Sequence, residues 1–359
     1  MGGMTDKRPT ISDVARRAFV SKTTVSHVLN GTRYVAPDTK QRVLDAIGAL
    51  GYRPSSAARS LTTKRTGIVG MIISDASNQF FGEVLRGVED VLRPRGYGLI
   101  VCNTDETLER ERHYLDLLLS QQVEGIIAAA TSQRWQELLR AETTRTPIVF
   151  VDRTFEGMDG PYVGVDNFAG AYQATQHLIL SGRRRLGIIA GFQRLSTMRE
   201  RLQGFKAAII EAGLPLAEER IVTCALAVDA GRDATRQILS LADPPDALLT
   251  SNNLLSLGAM LALQEMGLRC PQDVAIIGFD DHPWARVCNP PLSVVRQPSR
   301  RMGQVAAETL CTLIDGKEPA SSCVRLDCEL ILRQSCCGWH PLQDDRSTFR
   351  SIIDDRGGM

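Results

Sequence analysis

The chain has 359 residues, of which 43% are hydrophobic and 23% charged, a composition typical of a soluble protein with two or three domains. No run of about 18 apolar residues occurs, which argues against a membrane span, and the polar N-terminus lacks the apolar core of a signal peptide. Nine cysteines, an odd number without metal-ligand spacing, indicate reduced thiols. We therefore expect a cytoplasmic protein with no metal site and no cofactor.

Charge is distributed unevenly along the chain. Residues 1–65 contain 12 Lys and Arg against 4 Asp and Glu, a net charge of +8. The whole chain has 42 against 41, a net charge of +1, so the remainder has a net charge of −7. A basic segment on an acidic body is typical of nucleic-acid binding, because cations displace counterions from phosphates.

The first predicted elements are two short helices joined by a tight turn within residues 10–31. Thr10 caps the first helix with Asp13 in the reciprocal position, Ser21 caps the second, and Asn30-Gly31 ends it. The buried faces are predicted to consist of Ile11, Val14, Ala15, Ala18, Val25, Val28 and Leu29. This layout predicts a helix-turn-helix whose second helix enters the DNA major groove. A small helical hairpin with ordinary solvated residues is the alternative.

The outer face of the second helix carries the side chains that could contact DNA. They are Lys22, Thr23, Ser26 and His27, and all of them can donate hydrogen bonds to base edges or phosphates.

A third helix follows, with Pro37 in its first turn and Gly51 after its end. Its apolar face is predicted from Val43, Leu44, Ala46, Ile47 and Leu50. Residues 55–61 are too short and polar to form a stable helix alone and read as a hinge, and residues 62–66 read as an extended basic linker. We thus predict a head over residues 1–54, a hinge helix and linker over 55–66, a body over 67–340 and a polar, disordered tail over 341–359.

From residue 67 onward, apolar strands alternate with amphipathic helices. This order predicts an α/β body with parallel sheets in two successive lobes, the second beginning near Val163. Strands are expected at 68–73, 97–102, 125–129, 147–151, 185–191, 247–251 and 274–278, and helices at 80–95, 108–121, 169–180, 199–212, 230–240 and 257–266. Ligands of such sheets bind at the carboxyl ends of the strands, so the body should contain a ligand cleft.

The sequence offers little support for an enzyme. It contains no dinucleotide-binding, P-loop or His-Glu-x-x-His motif. Asp280-Asp281 could form a carboxylate pair, but a ligand-binding Asp280 beside a surface partner is the simpler interpretation. A transport-binding protein is the other alternative, yet it would need a signal peptide and would not need a basic head. A regulator that binds DNA fits these observations best.

Several motifs occur in the order found in one family. The head has Thr10-Ile-Ser-Asp-Val-Ala and Val20-Ser-Lys-Thr-Thr-Val-Ser-His-Val-Leu-Asn-Gly31, and the hinge has Gly51-Tyr-Arg-Pro and Ala58-Arg-Ser-Leu61. The body has Ser77-Asn-Gln-Phe-Phe81, Val151-Asp-Arg, Val165-Asp-Asn167, Arg201-Leu-Gln-Gly-Phe205 and Gly278-Phe-Asp-Asp281. From Thr10 to about Ser335 the chain resembles the LacI family of transcriptional regulators. The resemblance implies a helix-turn-helix head on a two-lobed body like that of periplasmic binding proteins.

The resemblance also assigns roles in DNA binding. It implies that Lys22, Thr23 and His27 face base edges, with Ser26 beside them on the same face. The phosphate and positioning contacts would come from Ser21, Thr24 and Asn30, and the hinge would contribute Arg59 and Leu61. Leu61 matches the leucine that wedges into the minor groove at the centre of a palindromic operator, where we expect a flexible CG step. The tail lacks leucine heptads, so a homodimer is expected.

Four positions depart from the family pattern. Phe19 stands in the turn where Gly is usual, and Ala36 replaces the usual Ser or Thr cap of the third helix. Phe19 should be strained if its φ is positive, and it either shifts the turn or packs against a neighbour. Asn253 and Arg183 stand where Asp and His are common, and the sequence does not indicate a functional effect of either difference.

A set of aromatic, carboxylate, amide and guanidinium side chains is predicted to bind the effector. The set comprises Phe80, Phe81, Asp152, Arg153, Arg201, Asn252, Asp280 and Gln297. Such groups suit the hydroxyls and C–H face of a monosaccharide, and the resemblance to ribose-binding proteins favours a pentose. A nucleobase, a sugar acid and a phosphorylated sugar remain open. Induction and corepression both remain open, since His27 resembles the purine-repressor branch whereas family frequency favours induction.

Overall fold

The computed structural model describes residues 9–31, 33–52, 65–131, 135 and 146–336. Contacts divide the chain into two compact units, Met1–Thr66 and Gly67–Met359. Residues 55–64 of the predicted hinge and linker (55–66), with Arg59 and Leu61, and the predicted tail 341–359 lie outside the described residues.

The first unit contains α1 (Ile11–Ala18), α2 (Lys22–Asn30) and α3 (Pro37–Leu50). Asp13 accepts hydrogen bonds from the backbone N–H and the hydroxyl of Thr10 at 3.0 and 2.7 Å, and Gly31 ends α2 with a φ of 65°. The buried core consists of Val14, Ala15, Ala18, Val25, Val43 and Ala46. The prediction for Leu44 was wrong, because 44% of this residue is exposed. It is one position from Val43 and therefore about 100° away around the helix, beyond the stripe that the small core covers.

The turn between α1 and α2 places Phe19 in the left-handed region, with φ 55° and ψ 45°. Phe19 is 87% exposed, so packing against the described residues does little to offset the strain, which for a bulky residue costs on the order of 1 kcal/mol. Ala36 provides no side-chain cap for α3. Both departures from the family pattern are thus features of the folded head.

The second unit contains two six-stranded sheets. The first has the order β11-β5-β4-β3-β1-β2, and every neighbouring pair is parallel. Its strands are β1 (Ile68–Ile73), β2 (Gly98–Asn103), β3 (Gly125–Ala128), β4 (Ile148–Val151), β5 (Tyr162–Val165) and β11 (Cys323–Leu326). The helices of this lobe are α4 (Gln79–Leu92), α5 (Leu108–Ser120) and α11 (Ser299–Ile314).

The second sheet has the order β12-β10-β9-β8-β6-β7 and is parallel except for the β10–β12 pair. Its strands are β6 (Leu186–Gly191), β7 (Ile221–Cys224), β8 (Ala247–Thr250), β9 (Ala275–Phe279), β10 (Ser293–Arg296) and β12 (Glu329–Ile331). Its helices are α6 (Asn167–Leu180), α7 (Ser196–Glu211), α8 (Val228–Leu239), α9 (Asn253–Met266) and α10 (Pro283–Val287).

The two lobes are not successive, which corrects the expectation from the sequence. The strand near Val163 belongs to the first sheet, and the chain crosses between lobes after β5, after β10 and after β11. The prediction missed α11, which returns to the first lobe and packs closely on α4. Side chains added at Gly87 of α4 or Gly303 of α11 would collide with the backbone of the other helix. Local periodicity shows an amphipathic helix but not the sheet that it covers.

Three broad observations concern the described residues alone. None of their helices has the length and apolar character needed to span a bilayer. The eight described cysteines form no disulfide. The same residues contain no group of three or more His, Cys, Asp or Glu side chains placed to hold a metal ion.

Candidate effector cavity and DNA-reading helix

The predicted DNA-contacting residues of helix α2 differ in their exposure to solvent. The side chains of Lys22 and Thr23 are exposed, whereas Thr24, Ser26 and His27 are half-buried. Ser21 Oγ accepts from the backbone N–H of Thr24 at 3.0 Å, so Ser21 is also the structural cap of the helix. The side chain of Asn30 lies outside the described residues, as do Arg59 and Leu61.

All eight predicted effector residues line one small cavity, about 40 Å³ in volume, between the two lobes. The strand ends explain this convergence: Asp152 follows β4, Asp280 follows β9 and Gln297 follows β10. The complete lining is Asn78, Phe80, Phe81, Asp152, Arg153, Thr197, Met198, Arg201, Leu226, Asn252, Asn253, Asp280 and Gln297. The lobes are therefore close together around a polar cavity.

Two carboxylates occupy corresponding positions in the two lobes. Asp152 and Asp280 each follow a buried strand and have left-handed φ values of 68° and 72°. Such strain in non-glycine residues is concentrated at binding sites. Burial raises the pKa of Asp152, although the charges of Arg153 and Arg201 oppose this effect and Asp280 adds to it. The cavity therefore offers a ligand two nearby hydrogen-bond acceptors, the carboxylates of Asp152 and Asp280.

Each carboxylate has a different partner. Gln297 Nε2 donates to Asp280 Oδ1 at 2.7 Å, and the buried Gln297 Oε1 has no hydrogen-bond partner among the described residues. An unsatisfied buried acceptor costs about 1–3 kcal/mol, so a hydroxyl donor at this position would be stabilising. Asp152 instead lies beside the guanidinium of Arg153, with a 3.3 Å contact to Nε.

The guanidinium of Arg153 is also held from outside the cavity. Its Nη1 and Nη2 donate to the two carboxylate oxygens of Glu106 at 3.0 and 2.7 Å. Burial lowers the pKa of Arg153, but the charges of Glu106 and Asp152 outweigh it and raise the pKa above its ordinary value. Arg153 therefore remains charged.

Arg201 is buried among neutral groups. Its Nε donates to Asn167 Oδ1 at 2.8 Å, an Nη1 hydrogen bond reaches the carbonyl of Ser251, and the guanidinium lies 4.1 Å from the ring centroid of Phe279. None of these three contacts neutralises its charge. Arg201 is thus suited to a polar or negatively polarised ligand atom.

The apolar walls differ between the lobes. Phe80 and Phe81 meet edge to face, with ring centroids 5.0 Å apart and an interplanar angle of 76°. Met198 and Leu226 of the second lobe supply aliphatic surface. The cavity therefore has aromatic surface from one lobe and flexible aliphatic surface from the other.

Amide side chains join the lobes and cap helices. Asn78 and Asn253 exchange hydrogen bonds across the cleft at 3.0 and 3.4 Å. Asn252 Oδ1 accepts from the N–H of Leu255 at 2.9 Å and so caps α9. Asp166 caps α6 in the same way through the N–H of Ala169 at 2.8 Å.

Two other expectations can now be compared with the geometry. Asp281 is not a surface partner: its side chain is 2% exposed and pairs with Arg286 at 3.0 Å and Arg333 at 2.6 Å. Burial raises its pKa, but these two hydrogen bonds outweigh burial and the net effect is a lowered pKa. Arg183 donates to the carbonyls of Asp246 and Pro271, so its role in the second lobe is structural.

The sequence-based set omitted five lining residues. They are Asn78, Thr197, Met198, Leu226 and Asn253. Most of them lie where the chain leaves a strand of one of the two sheets, at or near the start of the next helix. Applying the strand-end rule to every strand, rather than to those with charged residues, would have found them.

Comparisons with known proteins agree with this architecture. Residues 10–55 match the model of bacterial regulatory proteins of the lacI family, and residues 175–336 match the periplasmic binding protein-like domain. The HTH-type transcriptional repressor PurR of Aliivibrio salmonicida (strain LFI1238) is 36% identical over 330 residues, which cover 91% of this chain and 98% of the relative.

Solved structures show the same likeness. A candidate ribose operon repressor from Burkholderia thailandensis is 40% identical, with a TM-score of 0.68 over 74% of this chain and 99% of that chain. The Lac repressor dimer bound to operator and the anti-inducer ONPF is 25% identical, with a TM-score of 0.83 over 92% of this chain and 100% of that chain. The chain belongs to the LacI family and is a DNA-binding transcriptional repressor.

Proposed function

We propose that this repressor acts in the cytoplasm as a homodimer on a palindromic operator, with its affinity controlled by a monosaccharide in the interlobe cavity. The observation that carries the effector proposal is the convergence of eight polar and aromatic side chains on one cavity. Asp152, Asp280 and the unpartnered Gln297 Oε1 are acceptors, and Arg201 is a donor. Acceptors and a donor around one small volume suit the hydroxyls of a sugar.

A nucleobase fits the same cavity less well. Phe80 and Phe81 lie edge to face, and the second lobe contributes Met198 and Leu226 rather than a facing aromatic ring. A flat base would therefore have no aromatic sandwich, while it would bring few donors to two carboxylates. The similarity to the candidate ribose operon repressor supports a pentose in particular.

The proposed DNA interface comprises α2 and the hinge. Lys22, Thr23, Ser26 and His27 would contact bases, and Ser21, Thr24 and Asn30 would position the helix on phosphates. Arg59 and Leu61 would bind the minor groove, with Leu61 as the wedge. Support comes from the helix-turn-helix geometry of α1 and α2 and from the operator-bound Lac repressor.

A groove on the second lobe supports the homodimer. Its volume is about 770 Å³, and Leu257 and Met260 of α9 and Trp284 of α10 contribute to its lining. Val287 at the end of α10 is 83% exposed. A groove that carries such exposed apolar side chains would be covered in a twofold dimer. Sedimentation at a concentration well above nanomolar should give a dimer, and a stable monomer or tetramer would contradict the proposal.

The first experiment is a thermal-shift screen with D-ribose, other neutral monosaccharides, sugar acids, sugar phosphates and purines. A ligand at a hundredfold excess over its Kd stabilises a protein by about 2.7 kcal/mol, which is readily detected. We expect stabilisation by a monosaccharide. Stabilisation by purines alone would overturn the effector proposal while leaving the repressor assignment intact.

Selection from random DNA tests the operator proposal. We expect a palindrome with a central CG step, and an asymmetric single half-site would contradict it. Leu61→Ala should weaken specific binding and leave the fold intact, and unchanged operator affinity would exclude the wedge role.

A further inference from the structure

The charge of Arg153 is balanced by a carboxylate that lies outside the cavity. Glu106 does not line the cavity, yet both of its carboxylate oxygens accept hydrogen bonds from the Arg153 guanidinium, at 2.7 and 3.0 Å. Arg153 itself is only 4% exposed. The Glu106 side chain is half-buried, so the pair has its guanidinium in the interior, where electrostatic effects on a neighbouring ligand are larger than in water.

The loop that carries Glu106 has an unusual backbone. Asp105 and Glu106 are consecutive non-glycine residues with positive φ values, 48° and 58°. The loop is fixed by the N–H of Thr104, which donates to the Ile73 carbonyl at 2.9 Å, and by the N–H of Thr107, which donates to the Thr104 carbonyl at 3.0 Å. Strain of this type persists only where the surroundings enforce it and is concentrated at functional sites. Here it accompanies the contact between the Glu106 carboxylate and Arg153.

The charges around the cavity sum to a negative value when Glu106 is included. Among the lining residues, Asp152 and Asp280 are balanced by Arg153 and Arg201. Glu106 adds one negative charge, and of the two cavity arginines only Arg201 lacks a paired carboxylate among the described residues. The buried Glu111 also lies close enough to raise the pKa of Arg153, in the same direction as Glu106.

We propose that Glu106 is a specificity-determining residue. By pairing with Arg153 from outside the cavity, it makes the cavity accept an uncharged sugar and reject sugar acids and sugar phosphates. This inference rests on the proposed function of the cavity as the effector site. An anionic ligand would face two carboxylates with one available guanidinium, whereas a neutral ligand can use all four charged groups through its hydroxyls.

The test compares Glu106→Gln with the wild-type full-length protein, using D-ribose and D-ribonate as probes in isothermal titration calorimetry. The wild type should bind D-ribose and bind D-ribonate at least a hundredfold more weakly. Glu106→Gln keeps the shape of the side chain and removes its charge, so the ratio of the two dissociation constants should shift toward D-ribonate by at least tenfold.

Two further variants separate charge from structure. Glu109→Gln removes a negative charge from an exposed position three residues away and should leave the ratio unchanged. The double variant Glu106→Gln/Arg153→Met removes one charge of each sign and restores the original net charge of the site. It should again discriminate against D-ribonate, even if its affinity for D-ribose is lower, which a purely structural role of Glu106 does not predict.

The outcomes can be told apart. A ratio that stays within twofold of the wild-type value in a folded Glu106→Gln protein overturns the role of Glu106 alone. Preferential binding of D-ribonate by the wild type also overturns it. If the wild type binds neither probe and responds only to purines, the proposed sugar effector fails, and the inference about Glu106 fails with it.

Discussion

The two walls of the cavity, one from each lobe, share a local structure but differ in the partners of their charged side chains. In each lobe, an aspartate in a left-handed conformation follows a buried strand. In the first lobe Asp152 lies beside Arg153, which is itself paired with Glu106, so the guanidinium of Arg153 already has two carboxylate neighbours before a ligand binds. In the second lobe the hydrogen bonds that Asp280 and Arg201 make with the described residues go to neutral groups. We infer that the first wall sets the net charge and the second supplies most of the binding free energy.

The largest expected effect comes from comparing the two arginines. Arg201→Met should weaken effector binding at least a hundredfold, about 3 kcal/mol, because no carboxylate of the described residues pairs with the Arg201 guanidinium, which is therefore available to the effector. Arg153→Met should cost about tenfold, since Glu106 already engages its two terminal nitrogens. Calorimetry measures both. Arg199→Met, on the exposed face of the same helix as Arg201, is the control, and equal losses for the two buried arginines would contradict the division between the walls.

The pH dependence of effector affinity should reveal the contribution of Asp152 in the first wall. Burial raises the pKa of Asp152, so this carboxylate becomes protonated at a higher pH than an ordinary aspartate as the solution is acidified. Effector affinity should then fall with decreasing pH, starting above the usual aspartate range near 3.9, by at most tenfold per pH unit.

Stability should respond to Asp152 in the opposite direction. A raised pKa in the folded state means that this residue destabilises the fold at high pH and does so less as pH falls through the folded pKa. The difference in unfolding free energy between wild type and Asp152→Asn should therefore shrink on acidification. A pH-independent difference, or an affinity profile that Asp152→Asn leaves unchanged, would remove Asp152 from this role.

A smaller effect is expected where the two walls meet. Asn78 and Asn253 exchange two amide hydrogen bonds across the cleft, so they stabilise the closed arrangement. In the double variant Asn78→Asp/Asn253→Asp two carboxylates face each other, and at pH 7.5 effector affinity should fall about three- to tenfold. Asn78→Asp alone is the matched control, because it retains the oxygen that caps α4 through the N–H of Phe80. A loss that does not recover at low pH would mean that repulsion is not the cause.

The smallest effect separates capping from ligand binding within the second wall. Asn252→Ser keeps an oxygen that can cap α9 but removes the amide, so stability should change by less than about 0.5 kcal/mol while effector affinity falls a few-fold. Asp166→Ala removes the cap of α6, outside the cavity, and should cost about 1 kcal/mol of stability with effector affinity unchanged. Thermal unfolding and calorimetry on both proteins give the four values. Unchanged effector affinity in Asn252→Ser would leave Asn252 with a capping role alone.

Local sequence signals predicted much of this protein. Helix caps such as Thr10 and Ser21, the stops at Gly31 and Gly51, and the buried strands of both sheets depend on a few neighbouring residues, so they can be recognised without the fold. The convergence of the eight proposed effector residues on one cavity could also be predicted, because polar groups after buried strands gather at the same edge of a parallel sheet.

The tertiary structure alone decided what these residues do to one another. The return of α11 to the first lobe, the burial of Asp281 against Arg333 and the bond between Asn78 and Asn253 join segments far apart in the chain. The pairing of Glu106 with Arg153 is of the same kind, across 47 residues. Periodicity and capping report on one element at a time, whereas charge balance depends on which groups share a buried volume, and only the packed lobes fix that.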